Sequence, residues 1–578
     1  MVLKRFVDGF RPALGDEYSA RTDSSDYEKN VFSLGSVDDE DRVIAPLKDQ
    51  SVDQGRATNK EDPRLKRSIK SRHIQFIALG SGIGTGLFIG SGSTLASGGP
   101  ASLLIDYTLV GLMILTTLFA LGEMATLMPV PGAFSEYTAR FLDPAWGFAI
   151  GYNYLMQWLA TFPLEFTAAS IVITFWDKDE VVPKGIWIAI FMIVIILVNI
   201  VGVRGYAEVE FSATGLKMLT IVGFIICSIV IDCGGAPAGE YLGARGWHSE
   251  GGAFINGFKG FCSVLTTAAF AFTGTELVGL AAAETSEPAR LIPKACKRVV
   301  WRVILFYVLS LLMITLIVQP TDPRLHSASG YDPKTSPFVL TIQDGGIKVL
   351  PHIVNAVIMV SALSVANSSV FAASRTLHAL AEQGRAPKIF RYVDRQGRPL
   401  FAAILSLSFG LLGFLIYSAS EGEIFNWLLG ISGLSVVITW GSICAAHIRF
   451  RQAWLKQGYR IEQLPWVSPL GQYGSYAGLI FNILLVIAEF YLSAFPIQEA
   501  GMTGERRAYK FFLGFISVPI FAAFYLAYKL VKRTSVPRLE DIDLVSGRRA
   551  LITDEELELR RHEKQATPAW KRAVQMVF

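Results

Sequence analysis

Long apolar segments alternate with short polar stretches between residues 74 and 531. A helix needs about 20 apolar residues to cross the hydrocarbon core of a bilayer. By this measure the pattern predicts twelve membrane-spanning helices in an all-α integral membrane protein. Their predicted bounds are residues 74–97, 103–128, 146–175, 185–203, 208–231, 254–283, 301–319, 350–380, 400–418, 424–448, 474–495 and 511–531.

Charged residues are concentrated at the two ends of the chain. Residues 1–73 carry 28 charged side chains and residues 533–578 carry 17, whereas the 459 residues between them carry only 57. The whole chain is 51% hydrophobic and 18% charged, and soluble domains are about 25% charged. We therefore expect a lipid bilayer around the central part, with polar, unstructured tails at residues 1–73 and 532–578.

Lysine and arginine are much more frequent in every second predicted loop. Residues 64–72, 290–302, 375–398 and 449–460 hold most of them. Cytoplasmic loops carry this excess in membrane proteins, so both termini are predicted to be cytoplasmic. The tails contain serines and lysines that suit phosphorylation or ubiquitin attachment, which would make ubiquitin and trafficking machinery partners. A solvated tail without such partners is the alternative.

Predicted helix 1 contains four glycines within the seven residues from Gly80 to Gly86. Each glycine costs about 1 kcal/mol relative to alanine in a helix, so the cluster favours an interruption of the helix. Unpaired backbone at this depth is tolerated only where it is buried in protein or lines a cavity. Close packing of helices through small residues is the alternative interpretation.

Predicted helix 6 carries a weaker interruption signal in residues 270–276, which contain one glycine, two threonines and a glutamate. Predicted helices 1 and 6 each open a block of five helices, at residues 74–231 and 254–450. Paired interruptions at corresponding places are typical of transporters with inverted repeats. The pattern therefore predicts a five-plus-five inverted-repeat core with broken helices 1 and 6, and two extra helices in residues 474–531.

A broken helix frees backbone groups that suit a zwitterion. The N–H groups at the start of one half-helix attract a carboxylate, and the carbonyl groups at the end of the other attract an ammonium. Glu276 would sense substrate charge or tie the break to its neighbours, and Phe272 would act as a gate or simply pack. The predicted substrate-binding residues are Ser81, Ile83, Gly84, Thr85, Gly86, Phe272, Thr273, Gly274 and Glu276.

Lys217 lies in the middle of predicted helix 5. An ionisable residue at this depth is costly unless it faces a cavity or a partner, and it usually marks a functional site. We expect Lys217 to carry protons, its charge replacing a sodium ion beside the break of helix 1. Glu165 in predicted helix 3 is a second candidate for proton coupling. A structural ion pair of Lys217 with Glu165 or Glu276 is the alternative.

Three other acidic residues lie in or near predicted helices. Glu123, near the cytoplasmic end of helix 2, is expected to make a structural contact with a loop. Asp106, near the outer end of the same helix, is expected to reach water. Glu489 lies outside the predicted ten-helix core and is expected to be structural.

The chain has no pattern typical of an enzyme. Its five cysteines show no CxxC spacing, and no nucleophile–base pair, metal cluster or phosphate-binding loop is recognisable. The net charge of +4 is small, so nucleic acid is not an expected partner. We therefore expect no catalysis, no cofactor and no metal.

Several motifs in order carry a resemblance to a known family over about Leu65 to Lys532. These motifs are Gly82-Ile83-Gly84-Thr85-Gly86, Gly122-Glu123-Met124-Ala125, Asp143-Pro144-Ala145-Trp146-Gly147-Phe148, Gly202-Val203-Arg204-Gly205, Phe272-Thr273-Gly274-Thr275-Glu276 and Ser374-Arg375-Thr376-Leu377. The chain resembles the fungal amino acid permeases, the yeast amino acid transporter family of the amino acid–polyamine–organocation superfamily. Within that family it is most similar to the general, broad-specificity permeases.

The resemblance implies proton-coupled uptake of L-amino acids at the fungal plasma membrane. It also implies that Gly84, Thr85 and Gly86 and the helix 6 break hold the amino acid backbone, and that Lys217 is the proton switch. The chain departs from the family where Tyr152 replaces a common tryptophan and where Asp106 replaces a small neutral residue. A narrow-specificity carrier, an exchanger and a non-transporting amino acid sensor on the same fold are the alternatives.

Overall fold

The computed structural model describes residues 71–179, 181–248, 251–285, 287–325, 336–417, 421–497, 502–549, 551–552 and 555–558. Residues 1–70 and 559–578 therefore lie outside the described residues, and with them nearly all of the predicted N-terminal tail and the last part of the predicted C-terminal tail. Among the described residues the regular secondary structure is helical, apart from an isolated β-bridge between Cys233 and Tyr241. This confirms the predicted all-α class.

The helices follow the order of the predicted spans. They are α1 Ser71–Gly80, α2 Thr85–Phe88, α3 Gly90–Leu127, α4 Ala133–Phe141, α5 Pro144–Ile173, α6 Lys184–Ile200, α7 Val203–Asp232, α8 Gly257–Ala271, α9 Leu277–Ala281, α10 Pro288–Ile317, α11 Pro337–Asp344, α12 Leu350–Glu382, α13 Leu400–Ser408, α14 Glu421–Lys456, α15 Gly471–Ala494, α16 Gly504–Phe515 and α17 Ser517–Lys532.

Seven of the described helices are long and apolar enough to cross a membrane, judged by length and composition alone. The count is eight if α16 and α17, which meet at an angle of 64°, form one bent span. Two further apolar helices are shorter: α6, and α13 taken together with the 3-10 helix that continues it, Leu400–Leu415. The predicted count of twelve therefore stays a prediction.

α3 consists of two helical segments joined by a kink at Gly99. This glycine has φ +82°, which side chains disfavour, and a Cβ there would lie 2.7 Å from the carbonyl oxygen of Ala253. Pro100 follows directly, and its missing N–H is harmless at the start of a helix. The kink lies between the first two predicted spans, which end at residue 97 and begin at residue 103.

α10 begins at Pro288, so the predicted start of helix 7 at residue 301 is wrong. The first turns of this helix are amphipathic rather than uniformly apolar, and their charged face hides them from a hydropathy criterion. Their buried face consists of Pro288, Leu291, Ile292, Pro293, Ala295, Cys296 and Val299.

The core of the protein lies around α5 and α12. In the most apolar stretch of each helix, 89% of α5 and 78% of α12 is buried inside the protein, against 28% of α15. Asp143 caps α5, because its Oδ1 accepts a hydrogen bond of 2.9 Å from the Ala145 N–H. α15 is therefore peripheral, and α5 and α12 position what lies at the centre.

Residues 533–549 contradict the expectation of an unstructured C-terminal tail. Ile542 and Leu544 are buried, and Arg449 donates a 2.5 Å hydrogen bond to the carbonyl oxygen of Pro537. The Arg549 N–H donates to the carbonyl oxygen of Leu127 at 2.8 Å. The chain therefore folds back over the ends of α3 and α14 after its last helix.

Candidate substrate site

The first helix is interrupted where the glycines cluster. α1 ends at Gly80 and α2 begins at Thr85. A Cβ on Gly86 would lie 2.6 Å from the Cα of Ala271 in α8, and one on Gly84 would lie 2.7 Å from Val365 in α12. The absent side chains therefore let α8 and α12 approach the interrupted backbone.

A second interruption separates α8 from α9, at residues 272–276. Gly274 has φ +97°, and a Cβ on it would lie 2.9 Å from the carbonyl oxygen of Ser81. The Ser81 hydroxyl donates to the carbonyl oxygen of Gly274 at 2.8 Å. The two interruptions are thus in direct contact, although they are 193 residues apart in sequence.

A small cavity of about 20 Å³ lies between the two interruptions. Its lining includes the predicted residues Ser81, Gly84, Thr85, Gly86, Thr273 and Glu165. Thr161, Phe270 and Val365 also line it and were not predicted. Thr85 donates a 2.7 Å hydrogen bond to Glu165 Oε1, while Glu165 Oε2 has no hydrogen-bond partner among the described residues.

Four predicted binding residues lie outside the lining of this cavity: Ile83, Phe272, Gly274 and Glu276. The Phe272 ring stacks on Tyr307 with centroids 4.1 Å apart, and Phe272 is fully buried. Glu276 accepts hydrogen bonds of 3.1 Å from both Tyr154 and Trp440. This geometry favours the packing alternative for Phe272 and the helix-tying alternative for Glu276.

Several backbone carbonyl oxygens at the interruptions accept hydrogen bonds from side chains. The Tyr307 hydroxyl lies 2.8 Å from the carbonyl oxygens of both Gly82 and Ala271. Arg302, fully buried, donates to the carbonyl oxygen of Ala78 at 2.9 Å and to the hydroxyl of Thr275. α10 therefore braces both interruptions, a role that is not predicted from the sequence.

Lys217 is fully buried and lies against the end of α1. Its ammonium donates to the carbonyl oxygen of Gly80 at 3.2 Å and to the Ser364 hydroxyl at 3.0 Å. It is thus held by a carbonyl and a hydroxyl rather than in the alternative ion pair with Glu165 or Glu276. Lys217 contacts the last residue before the first interruption.

Glu210, a fully buried carboxylate of α7, is not among the functional residues predicted from the sequence. Glu210 Oε2 accepts a 2.6 Å hydrogen bond from the same Ser364 hydroxyl that Lys217 contacts. A signal for it was present, because Tyr206, Glu210, Thr214 and Lys217 follow one another at helical spacings of four, four and three residues. Such spacing places all four on one face of a helix.

A larger cavity of about 340 Å³ lies between α8, α14, α15 and α16. It shares one lining residue, Phe270, with the small cavity between the interruptions. Apolar residues such as Leu434 and Val437 form much of its wall, and Glu489 and Lys510 add polar groups. Gly433 also lines it, and a Cβ built there meets no atom within 4 Å.

Glu123 and Asp106, the two acidic residues of α3, are both buried but differ in their hydrogen bonding. Glu123 is buried and accepts hydrogen bonds from His447, Arg451 at 2.6 Å and the Ser468 N–H at 2.5 Å. Its expected structural contact is therefore present. The expectation that Asp106 reaches water is wrong, because its carboxylate is fully buried and has no hydrogen-bond partner among the described residues.

Comparison with known proteins identifies the family to which this arrangement belongs. A family profile described as amino acid permease matches residues 73–541. The chain belongs to the amino acid permease family. The permeases of this family move amino acids rather than transform them, so this multi-pass membrane protein is not an enzyme. The resemblance seen in the sequence motifs is thereby confirmed.

Individual relatives in the amino acid permease family cover most of the chain. General amino-acid permease GAP1 of Saccharomyces cerevisiae is 47% identical over 85% of this chain and 81% of its own length. Cationic amino acid transporter 1 of Schizosaccharomyces pombe is 46% identical over 94% of this chain and 92% of its own length. General amino-acid permease GAP2 of Candida albicans is 45% identical over 95% and 88%, respectively.

Proposed function

We propose that this permease performs proton-coupled uptake of L-amino acids with broad specificity across the plasma membrane, by alternating access. The observation that carries this proposal is the contact of a buried lysine with an interrupted helix that borders a cavity. Lys217 donates to the carbonyl oxygen of Gly80, and the cavity begins at the next residue, Ser81. A protonation change on Lys217 would therefore act directly on the substrate site.

The substrate backbone fits the two interruptions by its charges. The N–H groups near Gly84, Thr85 and Gly86 would take the carboxylate, as in other broken-helix transporters. The ammonium would be taken by backbone oxygens near Thr273 and by Glu165, whose Oε2 faces inward without a partner among the described residues. A buried oxygen in this state is costly, and an ammonium would satisfy it.

The proton would act by controlling the Lys217–Gly80 hydrogen bond. A protonated lysine donates strongly to this carbonyl and holds the end of α1 against α7. A neutral lysine would hold it less strongly and allow α1 to move. This movement would couple the proton to transport, because α1 ends at Gly80, directly before the residues that would contact the substrate.

The proposed architecture has twelve spans, with both termini in the cytoplasm. α1, α2 and the start of α3 would form broken helix 1, and α8 with α9 would form broken helix 6. These helices would open the two inverted repeats, residues 74–231 and 254–450, with residues 474–531 outside them. The contact between Ser81 and Gly274 supports this pairing, since corresponding breaks meet at the substrate site of such transporters.

Broad specificity requires room for side chains of different size. The cavity between the interruptions, at about 20 Å³, is too small for a side chain, whereas the neighbouring cavity holds about 340 Å³. We infer that the substrate side chain enters the larger cavity when the Phe270 ring, which lines both, turns aside. A mostly apolar wall with a few polar groups suits many amino acids. The relatives named as general permeases agree with this breadth.

Uptake of a panel of labelled amino acids into a permease-deficient yeast strain tests the proposal. Wild type, Lys217→Ala and the control Lys348→Ala, which removes an exposed lysine, would be compared at acid and neutral external pH. We expect broad uptake that collapses when the proton gradient is dissipated. Lys217→Ala should lose at least tenfold of the gradient-driven accumulation, and Lys348→Ala should behave as wild type.

Three results would change the proposal. Uptake confined to basic amino acids would replace broad specificity with the narrower activity that one relative's name describes. Uptake by Lys217→Ala with wild-type dependence on pH would remove Lys217 from the mechanism. A protein that reaches the cell surface and takes up no amino acid would be a sensor rather than a transporter.

A further inference from the structure

We propose that Glu210 is the internal proton acceptor of this permease and receives, through the Ser364 hydroxyl, the proton that Lys217 releases. This inference rests on the proposed proton coupling and assigns the next step of the proton's path. The Lys217 ammonium donates to Ser364 Oγ at 3.0 Å, and the Ser364 hydroxyl donates to Glu210 Oε2 at 2.6 Å. The three residues thus form one continuous chain of hydrogen bonds.

This chain of hydrogen bonds lies between two helices whose polar residues face each other. Glu210 and Lys217 lie on α7, and Ser364 lies on α12. All three are 2% exposed or less. A polar group buried between apolar helices is costly unless it is hydrogen-bonded. Here Lys217 and Glu210 of α7 both hydrogen-bond to Ser364 of α12.

The chain continues beyond Glu210 toward the start of α7. Ser368 Oγ lies 3.3 Å from Glu210 Oε2, and the Tyr206 hydroxyl lies 3.4 Å from Ser368 Oγ. Tyr206 precedes Glu210 by four residues, one helical turn closer to the end that we place in the cytoplasm. The polar chain therefore points from Lys217 to the inner side of the membrane.

A compact plug closes the inner end of this chain. The Tyr206 ring stacks on Phe371 with centroids 4.2 Å apart. The Arg375 guanidinium lies 4.3 Å from the centroid of the same Phe371 ring and donates to Glu284 at 3.1 Å. Because Glu284 follows α9 and Arg375 belongs to α12, opening between these helices would admit water to Tyr206 and Ser368.

The partners of Glu210 suit proton transfer better than a fixed structural charge. No lysine or arginine lies within ion-pair distance of Glu210 in the part of the chain that the structure describes. Its side-chain partners are the hydroxyls of Ser364, Ser368 and Thr214. A hydroxyl can both donate and accept, so the hydrogen bonds around Glu210 can reverse their direction.

Other charged groups surround the chain without entering it. Glu165 on α5 and Arg302 on α10 act on Lys217 through their charges. The Glu284–Arg375 pair lies beyond Tyr206. At the start of α1, Arg72 and His73 both contact Glu208, which is half exposed. The titratable side chains along the chain of hydrogen bonds itself are Lys217, Glu210 and Tyr206.

The proposed step balances in protons and charge. The Lys217 ammonium gives one proton to Ser364 Oγ while the Ser364 hydroxyl proton passes to the Glu210 carboxylate. Lysine becomes a neutral amine, serine is unchanged and glutamate becomes a neutral acid. When the plug opens, Glu210 gives the proton to cytoplasmic water and returns to its charged form.

The experiment uses the full-length protein purified and reconstituted in liposomes. Two readouts are taken for each variant: exchange of labelled against unlabelled amino acid at equal pH, and accumulation driven by an inward proton gradient with a pH-sensitive dye inside. The variants are Glu210→Gln, Glu210→Asp and Ser364→Ala. Ser369→Ala is the matched control, because Ser369 is equally buried on α12 but donates only to the Val365 carbonyl of its own helix at 2.9 Å.

We expect Glu210→Gln and Ser364→Ala to retain exchange within about twofold and to lose at least tenfold of accumulation and proton entry. Glu210→Asp should recover part of both, and Ser369→Ala should match wild type. Full accumulation with proton entry in Glu210→Gln would overturn the relay. Equal loss of exchange and accumulation in both Glu210→Gln and Ser364→Ala would show a structural role instead. Wild-type exchange without any proton entry would overturn proton coupling itself, and the relay with it.

Discussion

Filling the larger cavity should reduce the transport of large substrates more than the transport of small ones. Gly433→Leu places a side chain into this cavity, and the built Cβ meets no atom within 4 Å, so the folded protein should tolerate the change. The cavity holds about 340 Å³, within the size range of sites that bind small molecules. A leucine side chain therefore takes a large part of the space that a substrate side chain would enter.

The size of the effect follows from the apolar contact that is lost. Each buried methylene contributes about 0.8 kcal/mol, so the three carbons by which a leucine substrate exceeds alanine contribute about 2.4 kcal/mol in the cavity. Since about 1.4 kcal/mol is a tenfold change, kcat/KM for leucine should fall about fiftyfold. The value for alanine should change little, because its methyl group does not reach past Phe270.

Initial uptake rates of labelled leucine and alanine, normalised to protein at the cell surface, measure this selectivity. Gly223→Leu is the control, because Gly223 lies on the exposed face of α7 and its built Cβ also meets no atom within 4 Å. An unchanged leucine-to-alanine ratio in Gly433→Leu would refute the assignment of the cavity to substrate side chains. An equal loss for both substrates would point to a general effect on transport.

Two further predictions concern stability. Glu123→Ala leaves the largely buried Arg451 guanidinium without its carboxylate partner, which should lower the free energy of unfolding by about 3–5 kcal/mol. Thermal melting in detergent should show a clear decrease in the melting temperature. Glu287→Ala, which breaks an exposed ion pair, is the control and should leave the melting temperature almost unchanged. Burial alone would raise the pKa of Asp143, but hydrogen bonds from Lys529, Thr534 and the Ala145 N–H outweigh it and hold the pKa below its usual value. The stability from this carboxylate is therefore present above about pH 4 and lost as the pH falls further, so melting curves between pH 3 and 6 should show a steeper acid loss in wild type than in Asp143→Asn; equal slopes would contradict this assignment.

Features that depend on local composition were predictable from the amino-acid sequence. Apolar length set the order of the helices, and the glycine cluster at Gly80–Gly86 marked an interruption, because glycine lowers helix stability wherever it stands. The start of α10 at Pro288 was not predictable in this way. Amphipathic turns need a partner surface to be buried, and that surface comes from elsewhere in the chain.

The hydrogen-bond partners of the buried side chains could be identified only from the packed helices. Lys217 was recognisable as a costly charge in an apolar segment, yet its partners are Gly80 and Ser364, which are more than 130 residues away. Glu276 and Glu165 looked alike as buried acids. The structure separates them, because Glu276 is held by Tyr154 and Trp440 while Glu165 lines the cavity.

That this chain is a helical membrane protein with interrupted helices could be inferred from its amino-acid sequence, and so could its family, from the motifs. Both are carried by residues that are close together in the chain. Three features became visible only in the packed structure: which backbone carbonyls already accept hydrogen bonds, which cavity lies behind Phe270, and the link from Lys217 to Glu210 through Ser364. These relations depend on which faces of distant helices meet, and a short polar contact between α7 and α12 leaves no mark in the hydropathy of either helix.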